Sequence, residues 1–226
     1  MLRDALNKKI LTRLVPIYAK QPMGINYETP FQLVVGTILS AQCTDKRVNQ
    51  VTATFFDRLR DPQDFLKLSQ KKLEELIKPT GFFRNKAKNI LGAAKTIHFN
   101  YQGVIPKTLK ELLEIPGFGR KTANVVLNRL YGINEGICVD THVLRLAHRL
   151  GLSAHTDAVR VEKDLMQSTP KGQWGMITHC LILHGRAVCL ARGPKCGECV
   201  LRKICPKKSL ALSGPPCGRD RPHFNF

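Results

Sequence analysis

The stretch from Leu112 to Gly132, which reads LLEIPGFGRKTANVVLNRLYG, limits the possible folds more than any other part of the chain. It predicts two helices that meet at a tight turn. Thr108 and Glu111 have the spacing of a capping box, so the first helix is expected to begin there. A second helix, with apolar residues at helical spacing, is predicted from about Arg120. Residues 108–131 therefore predict a helical hairpin.

The turn between these two helices, Pro116-Gly117-Phe118-Gly119, predicts an anion site. Its backbone N–H groups precede a helix N-terminus, where the helix dipole favours negative charge. Gly119 is expected to let the chain turn without a Cβ clash. Lys121 follows in the first turn of the second helix. There the dipole disfavours an ammonium group and favours a neutral amine that can attack carbon. From this stretch alone, an exposed lysine that only touches phosphate is the preferred interpretation.

Nearly every other segment also predicts a helix, because apolar residues recur at helical spacing behind common capping residues. The predicted helix starts are Thr29, Thr44 or Asp45, Asp61, Ser69, about Lys86, Asp140, Thr156 and about Gln173. The helix after Thr44 is expected to continue through Phe55 and Leu59. No run of alternating polar and apolar residues indicates a strand. The predicted fold class is therefore all-α.

The charge balance favours a nucleic-acid partner. Lysine and arginine total 36 against 17 acidic residues, a formal net charge of +19. This excess indicates nucleic acid first and an anionic membrane surface second. No apolar run approaches the roughly 20 residues of a membrane span, and the N-terminus lacks the unbroken apolar core of a signal peptide. We therefore expect a cytoplasmic protein, whose eight cysteines serve metal binding or stay reduced.

Four cysteines lie within 17 residues and are separated by six, two and five residues: Cys189, Cys196, Cys199 and Cys205. A set this dense can surround one inorganic centre. Four thiolates suit either zinc or an iron–sulfur cluster. Structural zinc sites more often pair two short C-x-x-C segments, and this region has only one. The spacing therefore favours a [4Fe–4S] cluster and leaves zinc open.

Three segments occur in one order: LLEIPGFGRKTANVV, VDTH at 139–142, and LILHGRAVCLARGPKCGECVLRKIC. Together they resemble the endonuclease III family of DNA glycosylases, within the helix–hairpin–helix superfamily. The resemblance implies a two-lobed all-α fold whose six-helix barrel spans about 22–134. It also implies a second lobe of residues 1–21 and 135–210 that holds a [4Fe–4S] cluster on the four cysteines. Residues 211–226 are expected to form a flexible tail.

The same resemblance implies a monomeric base-excision repair enzyme with glycosylase and abasic-site lyase activities. Its partner would be double-stranded DNA that contains damaged bases or abasic sites. Lys121 lies at the position of the family's catalytic lysine, which attacks C1′, expels the base and forms a Schiff base before β-elimination. Asp140 lies at the position of the catalytic aspartate, which assists the lysine or stabilises charge on the sugar. Asp140 also suits a helix N-cap, and the two roles are compatible.

A base must leave the duplex before an enzyme can reach it, and a protein group must fill the gap. Gln42, in Ser-Ala-Gln, and Phe82, after a glycine, hold the positions of the family's gap-filling residues. Phe82 is larger than the leucine expected there, although an aromatic ring can still wedge between bases. Core packing of Phe82 and a plain helix end at Gln42 stay open. The remaining residues expected to bind DNA are Gly117, Gly119 and Arg120 of the hairpin.

Two alternatives stay open. A mismatch-directed, monofunctional relative would remove adenine or thymine, but such members generally lack a lysine at the position of Lys121, so damaged pyrimidine is preferred. A non-catalytic module would use the hairpin and cysteines only to grip DNA. That function would leave Lys121 and Asp140 without a purpose.

Overall fold

The structure, a computed structural model, describes residues 2–21 and 24–206. Within them the chain forms eleven α-helices and no strand, which confirms the all-α prediction. The helices are α1 (Leu2–Tyr18), α2 (Pro30–Leu39), α3 (Asp45–Thr52), α4 (Pro62–Leu66), α5 (Gln70–Ile77), α6 (Phe83–Asn100), α7 (Leu109–Leu113), α8 (Arg120–Tyr131), α9 (Thr141–Leu150), α10 (Ala158–Ser168) and α11 (Trp174–Ala187). None of these helices is both long and apolar enough to cross a membrane. The expected tail, 211–226, lies outside the described residues.

The chain divides into two compact units. One unit is Pro22–Glu135, and the other combines Met1–Gln21 with Gly136–Phe226. The first therefore contains α2 to α8, and the second contains α1 and α9 to α11. The assignment of these units as barrel and cluster lobes stays a prediction.

The Pro22–Glu135 unit is built around α2, whose residues Phe31 to Leu39 are all buried. Thr29 and Gln32 form a complete capping box at its start, with Pro30 at the first helical position. The Phe31 and Phe65 rings meet edge to face, with centroids 5.2 Å apart. Helices α4 and α5 pack against α6, and α8 packs against α2. The helix most enclosed by its neighbours thus ends at Leu39, immediately before Ser-Ala-Gln.

The other unit is held by α11, which packs against α1 and α9. Asn7 is buried on α1 and its amide donates to Ser168 and Thr169 at the end of α10. Tyr18, at the end of α1, places its hydroxyl 3.1 Å from Nδ1 of the buried His184 on α11. Polar contacts between distant parts of the chain therefore fix the N-terminal helix in this unit.

Two helix boundaries differ from the sequence predictions. Helix α3 ends at Thr52, so Phe55 and Leu59 lie in turns beyond it. The buried Gln32 amide donates to the carbonyls of Phe56 and Leu59 and so ties these turns to α2. Helix α10 is capped by Asp157 and not Thr156, because the Asp157 carboxylate accepts from the Arg160 N–H at 2.8 Å.

The start of α6 also differs from its prediction. The helix begins at Phe83, three residues before the predicted start, and Lys86 therefore lies within its first turn. A 3₁₀ turn at Lys78–Thr80 precedes it, and Gly81 and Phe82 both have positive φ. The helix is thus longer at its N-terminus than the sequence predicts.

Candidate active site

The hairpin forms as predicted from local signals. Thr108 caps α7, and its hydroxyl accepts from the Glu111 N–H at 3.3 Å. Ile115, just before the turn, and Phe118, within it, are buried and anchor it. Pro116, Gly117 and Gly119 are exposed. The turn therefore presents backbone to solvent while its two apolar residues hold it on the core.

The prediction that the turn needs a glycine at Gly119 to avoid a Cβ clash is wrong. The glycine that the turn requires is Gly117. Gly117 has φ +84°, and a Cβ added to it would lie 2.8 Å from Cβ of Asn89 on α6. Gly119 has φ −103° and ψ 174°, an extended conformation open to any residue, and an added Cβ would meet nothing within 4 Å. Close packing on α6 thus decides the conformation of this turn.

Lys121 is the second residue of α8 and its side chain is exposed. Among the described residues of its own unit, it has no hydrogen bond or ion pair. Arg120 beside it is also exposed. The first N–H groups of a helix have no acceptor within the helix, so this end of α8 attracts anions. A solvent-facing amine next to an anion-attracting helix end is suited to reach a phosphodiester backbone.

Asp140 caps α9, as the sequence predicted. One oxygen, Oδ1, accepts from the N–H groups of His142 and Val143, both at 2.8 Å. The side chain is partly buried. These two hydrogen bonds fix its rotamer at the N-terminus of α9. The structure therefore shows the capping role, and a carboxylate held this firmly is also pre-organised for chemistry.

His142 packs into the same helix. Its Nδ1 lies 3.1 Å from Nη2 of Arg145, one turn further along α9. Burial lowers the pKa of His142, the charges of Arg145 and Arg186 add to this, and Asp140 opposes it. An imidazole kept neutral in this way suits a structural residue.

Two arginines on α9 hold the loop that carries the first cysteine. Arg145 donates to the carbonyls of Gly185 and Cys189, at 2.9 and 3.0 Å from its Nη2. Arg149 donates to the Leu190 carbonyl at 2.7 Å, and its Nη1 lies 3.4 Å from Sγ of Cys189. The helix that Asp140 caps is therefore the same helix that positions the cysteine loop.

The four cysteines of the dense set are partly buried, and none of the seven cysteines among the described residues forms a disulfide. Burial raises the pKa of Cys199, as do the charges of Cys189, Cys205 and Cys196, so the four thiols lie in one another's field. Nε2 of His184 lies 3.3 Å from Sγ of Cys199. Among the described residues, no three His, Cys, Asp or Glu side chains are arranged as a site for a metal ion. Nη1 of Arg149 nevertheless donates towards the sulfur of Cys189, which suits a thiolate.

Gln42 and Phe82 share an uncommon backbone conformation. Gln42 has φ 51° and Phe82 has φ 46° with ψ 28°, both in the left-handed region. Both side chains are exposed, and 65% of Phe82 is accessible. The alternative of core packing for Phe82 is therefore excluded. A bulky non-glycine residue in this region is strained by about 1–3 kcal/mol, and such strain concentrates at functional sites.

The burial of one residue in this region, Lys86, was not predicted from the sequence. Lys86 is 4% exposed, and its Nζ lies 2.8 Å from the carbonyl oxygens of both Leu39 and Thr80. A signal was available, because Lys86 shares the apolar stripe of α6 with Ile90, Ala94 and Ile97, all of them buried. A lysine on an apolar stripe indicates a buried, partnered ammonium group.

The candidate residues fall into both units. Lys121, Gln42, Phe82 and the hairpin belong to Pro22–Glu135, whereas Asp140 and the four cysteines belong to the other unit. Within the first unit, α6 contacts the hairpin turn and holds both loops that carry Gln42 and Phe82. Within the second, α9 joins Asp140 to the cysteine loop.

Comparison with known proteins supports the resemblance seen in the sequence. Residues 35–171 match the family described as "HhH-GPD superfamily base excision DNA repair protein". An endonuclease III from Synechocystis sp. is 49% identical over 211 residues, which cover 91% of this chain and 96% of that protein. An endonuclease III from Bacillus subtilis is 46% identical over 180 residues, which cover 79% of this chain and 82% of that protein.

A solved structure also matches, that of a trapped covalent intermediate between an endonuclease III and DNA. It superposes with a TM-score of 0.85 at 36% identity, covering 94% of this chain and all of that one (100%). The likeness to these three proteins therefore extends over most of the chain.

Proposed function

Because the chain belongs to the endonuclease III family of helix–hairpin–helix DNA glycosylases, we propose that it excises damaged pyrimidines from double-stranded DNA and nicks the resulting abasic site. The observation that carries this proposal is the exposed Lys121 in the first turn of α8, directly after the glycine-containing hairpin turn. The enzyme acts as a monomer on DNA, in the cytoplasm and at the nucleoid.

Lys121 is the nucleophile. Its Nζ lone pair forms a bond to C1′ while the bond from C1′ to the base breaks, and the base departs with that electron pair and takes up a proton. The C1′–O4′ bond then breaks, O4′ takes up a proton, the nitrogen loses one, and a C1′=N Schiff base forms, which acidifies the hydrogen on C2′. Loss of that proton breaks the C3′–O bond and nicks the strand. An exposed amine fits this role because its target is a DNA sugar outside the protein.

Asp140 acts on the same reaction through its charge. Two backbone N–H groups hold Oδ1, so the carboxylate keeps its position. It accepts the proton that Lys121 loses, or it stabilises positive charge on the sugar as the base departs. The N-cap fixes the carboxylate, and the fixed carboxylate serves catalysis.

The hairpin and the two strained loops bind the DNA. Backbone N–H groups around Gly117 and Gly119, together with Arg120, bind a phosphate. Gln42 and Phe82 enter the duplex and occupy the space of the extruded base. Their exposure supports this role, because a side chain that enters a base stack must first be free of the protein core.

The four cysteines are proposed to hold a [4Fe–4S] cluster. The donor set fits, because four thiols share one field and Arg149 and His184 are close to two of the sulfurs. When bound, the cluster would supply a structural brace and not a reacting group. The loop that it braces carries Arg192, Lys195 and Arg202, which are exposed and suited to phosphate contacts.

The proposed function is tested with a duplex that carries one thymine glycol, assayed separately for free base and for strand nicking. Wild-type protein and the control Lys88→Ala, which changes an exposed lysine, should do both. Lys121→Ala should do neither. Base release without nicking by the wild type would indicate a monofunctional glycosylase, and binding without either activity would indicate a non-catalytic module.

A further inference from the structure

Lys86 connects two loops inside the Pro22–Glu135 unit. Its ammonium donates to the Leu39 carbonyl and the Thr80 carbonyl, both at 2.8 Å. These acceptors are 41 residues apart in the chain, and each lies at the end of a helical segment. Burial lowers the pKa of Lys86, and the nearby Cys43 opposes that shift. The side chain is thus an internal cross-link between these two segments.

The two acceptors lie just before the two residues proposed to enter DNA. Leu39 ends α2 three residues before Gln42, and Thr80 ends the 3₁₀ turn two residues before Phe82. Both Gln42 and Phe82 have left-handed backbone, with φ of 51° and 46°. Each loop therefore begins at a carbonyl fixed by Lys86 and continues to an exposed side chain on a strained backbone.

The same helix also positions the hairpin turn. One turn after Lys86, Asn89 lies against Gly117, where an added Cβ would be only 2.8 Å from its own Cβ. Gly92 lies against Pro116, with an added Cβ at 2.9 Å from the Pro116 Cβ. Consecutive turns of α6 therefore contact the Gln42 loop, the Phe82 loop and the hairpin turn.

We propose that Lys86 is a positioning residue for base extrusion, which fixes the separation and direction of Gln42 and Phe82 so that both enter the duplex together. This inference rests on the proposed function. Lys86 does not touch the reacting atoms, because its ammonium is enclosed by the Leu39 and Thr80 carbonyls. Its effect should therefore be greatest on a step that needs both loops, and least on a step that does not.

Lys86→Met tests this inference, since methionine keeps the apolar stem and removes the donors. Two single-turnover rates are compared: excision of thymine glycol from a full duplex, and nicking of a preformed abasic site that has no base to extrude. Excision should slow on the order of tenfold to a hundredfold, the range expected for misplaced groups, while nicking changes by less than about threefold. Lys88→Met, an exposed neighbour on α6, should leave both rates unchanged.

A variant that only loosens the fold would slow both reactions equally, and equal slowing or no change would overturn the inference. Lys86→Arg retains a positive charge and N–H donors and should recover part of the excision rate. If Lys86→Met does not fold, Lys86→Gln replaces it, because its amide NH₂ can still donate.

Amide hydrogen exchange gives a readout without DNA. Exchange should accelerate in Lys86→Met at both 40–43 and 80–83 and stay unchanged in the α8 helix, and protection equal to the wild type in both loops would overturn the inference. Failure of the wild type to excise or nick would instead overturn the proposed function.

Discussion

Lys86 and Lys121 occupy similar places in the chain and opposite environments. Lys86 is the fourth residue of α6 and Lys121 the second of α8, so both lie near a helix N-terminus in the same unit. Lys86 is buried against two carbonyl oxygens, whereas Lys121 is exposed. The dipole of the helix acts on both. The two lysines differ in whether the rest of the unit supplies hydrogen-bond acceptors for the ammonium group.

The comparison shows how one residue type serves two purposes. Two backbone carbonyls compensate the cost of burying the Lys86 ammonium, and the amine is then enclosed and unreactive. Lys121 keeps its amine in solvent, where a DNA sugar can reach it. We therefore expect substitutions of Lys86 to act on structure first and substitutions of Lys121 to act on chemistry alone.

The largest expected effect is the loss of strand cleavage in Lys121→Met. Removal of a nucleophile should slow nicking by about a thousandfold or more. The free energy of unfolding should change by less than about 0.5 kcal/mol, because the side chain is exposed. Urea unfolding of the same preparation used for the rate measurement checks both values. A large loss of stability would make Lys121 a structural residue and remove the contrast with Lys86.

Lys86→Met, unlike Lys121→Met, should lower the free energy of unfolding substantially. Removing the donors leaves two buried carbonyls without partners and should cost about 2–4 kcal/mol. Urea denaturation of Lys86→Met and of the control Lys88→Met measures the difference. A urea midpoint equal to that of the wild type would mean that water or a neighbouring group satisfies both carbonyls.

The two glycines of the hairpin that carries Lys121 should differ in how much their substitution lowers stability. Gly117→Ala should cost about 1–3 kcal/mol, because φ is +84° and the new Cβ would lie 2.8 Å from Asn89. Gly119→Ala should cost less than about 1 kcal/mol, the usual effect at an N-cap position. Thermal unfolding of the Gly117→Ala and Gly119→Ala variants measures the two losses of stability. Equal losses would show that the conformation of Gly119 is more restricted than its dihedral angles indicate.

The smallest expected effect on stability is at Phe82, whose loop begins at a carbonyl bound by Lys86. Glycine tolerates φ 46° better than alanine, so Phe82→Gly should be more stable than Phe82→Ala by about 1 kcal/mol. Both variants should excise thymine glycol more slowly than the wild type, and to a similar extent. If Phe82→Ala were the more stable variant, the backbone strain at this position would be relieved in solution.

The features that local sequence decides were predictable. Thr29, Ser69, Thr108 and Asp140 were expected to start helices, and each caps one. The all-α class followed in the same way, because helical periodicity and caps depend only on neighbours within a few residues. The family resemblance supplied the role of Lys121, which the local pattern left undecided.

The features that depend on distant contacts were not predictable. Gly117 needs its conformation because Asn89, 28 residues earlier, packs against it. The turns after α3 are held by Gln32, whose amide donates to the carbonyls of Phe56 and Leu59, 24 and 27 residues later. One partner of Lys86, the Leu39 carbonyl, lies 47 residues earlier in the chain. In each case the deciding atom lies far away in the chain, and no window of neighbouring residues contains it.

The measurement that tests the central claim most directly is the identity of the residue joined to DNA. Wild-type protein is incubated with a duplex that carries one thymine glycol, in the presence of borohydride, which reduces a Schiff base to a stable amine. The adduct is digested, and the modified peptide is sequenced by mass spectrometry. We predict a sugar remnant on Lys121 and none on Lys86. A remnant on another lysine, or no adduct from protein that binds the duplex, would contradict the assignment of Lys121 as the nucleophile.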